Sequence, residues 1–147
     1  MKMNPWFDLF RYHIRLLKGK IQITDCANEL SDGVLDHYRP FLKVVHHSKT
    51  QQPQVMLQVM FQVPRSSFVQ SCVIPFLSIP FFAGASGFIS KVFYVNDQAN
   101  AFCGLYKWES EQTARSYIQS YPGTFMKLIS ASGSLRYHIR SVSKELS

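Results

Sequence analysis

The sequence predicts one small α+β domain whose C-terminal two-thirds runs strand, helix, strand, strand, helix, strand, and three observations predict it. Residues 54–63, QVMLQVMFQV, alternate strictly between two kinds of side chain, which is the period of a β-strand. FISKVFYV (88–95) and AFCGLYKW (101–108) flank the turn formers Asn96, Asp97 and Asn100 as the arms of a hairpin. Ser110, followed by Glu111 and Gln112, opens a helix in which Ala114, Tyr117 and Ile118 recur at helical spacing.

A chain of 147 residues accommodates one domain with a core that needs no staples. In the first strand Val55, Leu57, Val59, Phe61 and Val63 form a buried face. Gln54, Met56, Gln58, Met60 and Gln62 form a second face, neither charged nor fully apolar, which suits a sheet surface that a partner covers or that lines a cavity. Pro64 ends the strand, and Ser66 or Ser67 caps a helix through Phe68, Val69, Cys72, Val73 and Phe76 that Pro75 and Pro80 cut short. A Gly84–Gly87 loop leads into the hairpin. After the helix from Ser110, the residues Tyr121, Pro122 and Gly123 mark an interruption, TFMKLISA is a further helical piece, and SLRYHIRSV (134–142) is the last strand. This order is the split βαβ arrangement of a ferredoxin-like fold with a four-stranded antiparallel sheet.

Residues 1–50 stand outside that unit and are expected to form an N-terminal helical extension packed on the domain of residues 51–147. FDLFRYHIRLL reads as an amphipathic helix with Phe7, Phe10, Ile14 and Leu17 on one stripe, and DGVLDHYRPFLKVV as a second short helix cut at Pro40. HHSKTQQPQ (46–54) reads as the linker. RYHIR occurs at 11–15 and again at 136–140, but the flanking residues do not extend it into a repeat.

Sixteen Lys and Arg against nine Asp and Glu give a net charge of +7, spread along the chain and densest at Arg11, His13, Arg15, Lys18 and Lys20. No nucleic-acid motif accompanies it, so solubility or weak steering is the expected role. The hydrophobic fraction of 46% against 17% charged excludes a disordered chain. The three cysteines, Cys26, Cys72 and Cys103, show no CxxC spacing and fit a cytoplasmic setting with inert thiols, and the N-terminus does not read as a secretory signal. Residues 66–90 carry no charge, yet Pro75, Pro80, Gly84 and Gly87 and six serines favour a buried helix and loop over a membrane span. His46 and His47 have no companion at metal-ligand spacing and read as a loop pair, so no metal is expected.

Gly87, Lys91, Val92, Phe93, Gly104, Leu105, Tyr106, Trp108, Glu109 and Ser110 carry a resemblance. The segment Gly87–Ser120 resembles the central part of the antibiotic-biosynthesis-monooxygenase-like (YdhR-like) proteins, and the likeness extends over about ninety residues in element order. It implies a dimeric α/β barrel, a homodimer whose sheets pack face to face, with a cavity between each sheet and its own helices. It also implies monooxygenase or cyclase chemistry on a small hydrophobic, aromatic or polyketide-like molecule with no dissociable cofactor, the substrate itself reacting with dioxygen.

Such chemistry needs an apolar cavity, aromatic walls and one or two polar groups to take a proton or steady an enolate. On the third strand Phe102, Gly104, Tyr106 and Trp108 share a face, with Gly104 leaving space between bulky aromatics. Tyr106 and His138 are the candidate catalytic residues; Trp108, Tyr94, Phe102, Gln58 and Arg136 are the candidate substrate contacts. The competing readings are that Tyr106 and Trp108 are core or interface aromatics, and that His138, flanked by Arg136 and Arg140, lies on a solvated or dimer-edge surface. Lys91 and Tyr94 occupy opposite faces of the second strand, so at most one of them meets a given cavity. The rival function is a non-catalytic dimeric module that holds a hydrophobic ligand or partner, with the basic N-terminus touching a membrane surface.

Overall fold

The computed structural model describes residues 3–26, 35, 37–47, 52–64 and 78–142. In chain order the elements are α1 (Pro5–Leu17), β1 (Ile21–Asp25), β2 (Arg39–His46), β3 (Val55–Gln62), helical residues 78–83 (α2), β4 (Phe88–Asn96), β5 (Ala101–Trp108), α3 (Glu111–Gln119), α4 (Tyr121–Ile129) and β6 (Arg136–Ser141). All strand pairs are antiparallel, in the order β1-β2-β4-β5-β3-β6. The four strands β4-β5-β3-β6 are the ferredoxin-like sheet, and the β1–β2 hairpin extends it to six strands rather than the expected four.

The second N-terminal helix is replaced by β2. Its inward residues Pro40, Leu42, Val44 and His46 alternate with outward ones, and a register shift between Pro40 and Leu42 absorbs the proline next to the strand's start. Residues 32–34 and 36 of that stretch lie outside the described residues, as do residues 66–76 of the helix expected after β3. His46 is not a loop residue: it is buried at the end of β2 with Nδ1 3.3 Å from the Phe88 carbonyl. Pro80, expected to break a helix, lies within α2. Tyr121–Gly123 begin α4 rather than separate it, because Pro122 suits a first helical turn.

The other elements follow the sequence. Ser110 caps α3 by accepting from the Thr113 amide at 3.2 Å. Asn96 Oδ1 accepts from the Gln98 and Ala99 amides, which closes the hairpin turn. Val55, Leu57 and Val59 are buried beneath the helices, while Met56, Gln58 and Met60 lie half-buried on the sheet's other face. No helix among the described residues is long and apolar enough to cross a membrane.

The helix α1 exists where the spacing puts it, but its apolar stripe does not pack on the domain. Phe7, Phe10 and Leu17 are exposed, and Asp8 and Tyr12 are the residues turned inward. Asp8 accepts from the Tyr121 hydroxyl at 3.0 Å. Arg15 donates to the carbonyls of Ala83, the last residue of α2, and Ala85, just beyond it. These polar anchors, together with Tyr12 in the core, set the helix's rotation.

Candidate functional site

The β4–β5 hairpin registers Lys91 against Tyr106 and Phe93 against Gly104, all on the helix-facing side of the sheet. A register shift between Phe88 and Ser90 brings Phe88 and Lys91 to the same side despite their odd separation. Gly104 gives these neighbours room: a Cβ there would stand 2.8 Å from Tyr106 Cε2 and 3.0 Å from Lys91 Cε. The expected gap beside Gly104 is therefore filled by the Tyr106 ring and the Lys91 stem.

Above this patch a cavity of about 450 Å³ opens between the sheet and the helices, within the range of small-molecule sites. Its floor includes Val59, Phe61, Lys91, Phe93, Phe102 and Tyr106; Phe82 of α2, Tyr117 of α3 and Tyr121, Phe125 and Met126 of α4 supply walls, and Pro5 of α1 reaches its edge. Phe125 is also partly exposed, so the cavity meets the surface beside α4.

Lys91 is 6% exposed, and its Nζ sits 4.5, 3.8 and 4.3 Å from the ring centres of Phe82, Phe93 and Tyr106. Among the described residues no carboxylate pairs with it. Burial holds the amine well below the ordinary lysine range, because the charged form loses its hydration. The three ring faces favour the cation, by about 2 kcal/mol each in a desolvated site. They work against the desolvation, which is the larger influence and pulls the amine toward its neutral form.

Beside it, the Tyr106 and Tyr117 hydroxyls lie 2.8 Å apart. Burial, first, and then their mutual contact raise Tyr106 well above the ordinary tyrosine range; burial likewise raises Tyr117. Both stay protonated. One hydroxyl donates to the other, so the pair retains one O–H to offer a ligand oxygen. Burial pushes the Cys103 thiol up to about 12, consistent with an inert group.

The structure divides the sequence-predicted site residues between the two faces of the sheet. Tyr106 and Phe102 line the cavity. Trp108 does not: it is fully buried among Phe88, Tyr106 and Tyr117, with no partner for Nε1 among the described residues. Gln58 and His138 are paired across β3 and β6 on the opposite face, with Tyr94 and Arg136, so His138 and Tyr106 do not meet. The reason is strand alternation, which turns Tyr137 and Ile139 inward and Arg136, His138 and Arg140 outward. Lys91 is the residue that sequence reasoning left out of the site. The signal was its phase with Phe93 and Val95, which are inward too.

Among solved structures, the chain is similar to an uncharacterized ferredoxin-fold protein related to antibiotic biosynthesis monooxygenases from Listeria monocytogenes, at 16% identity over 73% of this chain and 64% of that one, with a TM-score of 0.53. A monooxygenase-like protein from Listeria innocua matches at 15% identity over 73% of this chain and 64% of that one, with a TM-score of 0.52. The fold is that of the monooxygenase-like ferredoxin-fold proteins. A heme-degrading enzyme from Listeria monocytogenes shares this fold at 14% identity over 81% of this chain and 95% of that one, with a TM-score of 0.53. The chain spans 64% of the length of the first two, and at these identities the shared property is the fold. No protein-family model and no curated protein matches the sequence. Among the described residues no histidine, a common axial ligand of haem iron, lines the cavity.

Proposed function

We propose that this monooxygenase-like fold binds a small, flat, hydrophobic molecule with a weakly acidic C–H or O–H, of the anthrone or polyketide type, and oxygenates it without a dissociable cofactor. The observation that carries the reading is a single buried amine, Lys91, with no acid beside it among the described residues, in an otherwise apolar cavity next to the Tyr106–Tyr117 hydroxyl pair.

Lys91 Nζ takes the proton and the pair's free O–H steadies the resulting enolate oxygen. The new ammonium is held by the Phe82, Phe93 and Tyr106 faces and by the enolate's own charge, so proton transfer creates a charge pair where there was none. The enolate is electron-rich enough to reduce dioxygen itself: it passes one electron, the radical pair closes a C–O bond, the peroxide anion takes the proton back from the Lys91 ammonium, and the hydroperoxide loses water with the remaining C–H hydrogen. For a methylene carbon the balance is one CH2 and one O2 giving one C=O and one H2O. Phe61, Phe102 and Met126 exclude water from the intermediate.

The reading includes a homodimer in which a second copy covers the open sheet face, where Met56, Gln58, Met60 and Leu105 form an uncharged, half-buried strip. His138 and Arg136 then belong to that interface rather than to the chemistry.

Oxygen uptake with an anthrone-type substrate tests the function. Wild type and His138→Ala are expected to consume oxygen with formation of the quinone, and Lys91→Met to lose it while still binding substrate. Binding without uptake in the wild type would leave a ligand-holding module and overturn the oxygenase.

A further inference from the structure

The apolar side of α1 faces away from the protein. Trp6, Phe7, Phe10 and Leu17 are 77%, 63%, 65% and 88% exposed, and at 100° per residue they fall on one side of the helix, opposite Asp8 and Tyr12. The helix is not free to turn this stripe inward. The Asp8–Tyr121 bond, the two Arg15 bonds to Ala83 and Ala85 and the Met3 amide to Ser120 Oγ all hold its polar side to the domain. Gly84 packs so closely that a Cβ there would stand 1.6 Å from the Asp8 carbonyl oxygen.

From this we infer that α1 docks the protein on the surface of an anionic lipid bilayer, a property independent of the proposed reaction. The stripe is rich in aromatic rings, which favour the headgroup level, and Arg11, Lys18 and Lys20 flank it. The helix's one acid, Asp8, is turned inward, so its outer side carries only cations for acidic headgroups. The same pattern disfavours a second copy as the occupant: pairing α1 with itself would bring Arg11 and Lys18 of two +7 chains together with no acid between them. Because Pro5, at the start of α1, edges the cavity, docking would set the cavity beside a reservoir of apolar molecules.

The two tryptophans supply the test, since Trp6 is exposed and Trp108 is fully buried. The full chain is mixed with vesicles of phosphatidylcholine alone or with part of it replaced by phosphatidylserine, and both co-sedimentation and tryptophan emission are read. Binding is expected only with phosphatidylserine, weakening with salt, and with a blue shift that disappears in Trp6→Phe while sedimentation persists. Phe10→Glu, on the exposed stripe, is expected to weaken binding by about tenfold or more with the Trp108 emission unchanged. The inference is overturned by failure to sediment with phosphatidylserine vesicles, by sedimentation without a Trp6 shift, by full binding of Phe10→Glu, or by a lipid-free dimer that Phe10→Glu dissociates.

Discussion

Lys91 and Tyr106 face each other across the β4–β5 register, with the lysine nitrogen 4.3 Å from the centre of the tyrosine ring. The amine is thus held over a ring whose hydroxyl is already engaged by Tyr117, and among the described residues no acid pairs with it. Its environment makes the site useful and the fold less stable.

The cost has a defined pH dependence. Above the ordinary lysine value of 10.5 the amine is neutral in both folded and unfolded chains, and Lys91 contributes no difference. As the pH falls below 10.5 the unfolded chain binds a proton that the folded one refuses, so stability is lost progressively until the folded pKa is reached. Lys91→Met is therefore expected to raise the melting temperature near neutral pH, by about 2–4 °C for each kcal/mol recovered, and to raise it much less near pH 10.5. Thermal unfolding at the two pH values checks this; an equal loss of stability at both would mean that the amine is charged in its cage.

Gly104→Ala fills the space that Tyr106 and Lys91 share. Contacts of 2.8 and 3.0 Å require both side chains to move. The expected cost is about 1–3 kcal/mol, with weaker binding of any cavity ligand. Denaturant melts and ligand titration together check it, and a variant of wild-type stability would show that the floor of the cavity is loosely packed.

Asp8 behaves in the opposite sense from an ordinary surface carboxylate. Burial raises its pKa above 3.8, opposed by the Tyr121 hydrogen bond and the charges of Arg11 and Arg15. Below 3.8 the group is protonated in both states; as the pH rises the unfolded chain ionises first, so its stabilising contribution is lost through the folded pKa. Asp8→Asn keeps an acceptor for Tyr121 and is expected to stabilise the protein increasingly above pH 3.8, with no gain below it. Melting temperature against pH for the two proteins measures this, and a stability loss at neutral pH would contradict it.

Much of the fold was legible because it is written in short periods and caps. The alternation of Val55 to Phe61, the turn at Asn96 and the Ser110 cap each have one local solution. Strand β2 was obscured because Phe41 and Val45, on its outward face, are as apolar as their inward neighbours, and because Pro40 lies inside the strand. The segment RYHIR shows the limit plainly: at 11–15 it is helix with Tyr12 inward, and at 136–140 it is strand with Tyr137 and Ile139 partly buried. Local preference does not separate these outcomes; the neighbours do. Periodicity also located the stripe of α1 without revealing that Asp8 and Arg15 would turn it outward.

The site was half legible for a related reason. Tyr106 and Phe102 follow from the alternation of β5, whereas a lysine in a strand is normally read as a solvent-facing residue. Lys91 is inward because it shares a phase with Phe93 and Val95 and because the irregularity before Ser90 resets the strand after Phe88. His138 was attractive as a titratable group, but only pairing with Gln58 reveals which face of the sheet it occupies.

The most direct test of the account is the titration of Lys91 itself, followed through its ε-carbon by NMR with and without a weakly acidic phenol in the cavity. The account predicts that free Lys91 titrates well below 10.5, and that adding the phenol drives it to the ammonium form at a pH where it was neutral. An amine that titrates at its ordinary value, or that keeps the same charge when the phenol binds, would contradict it.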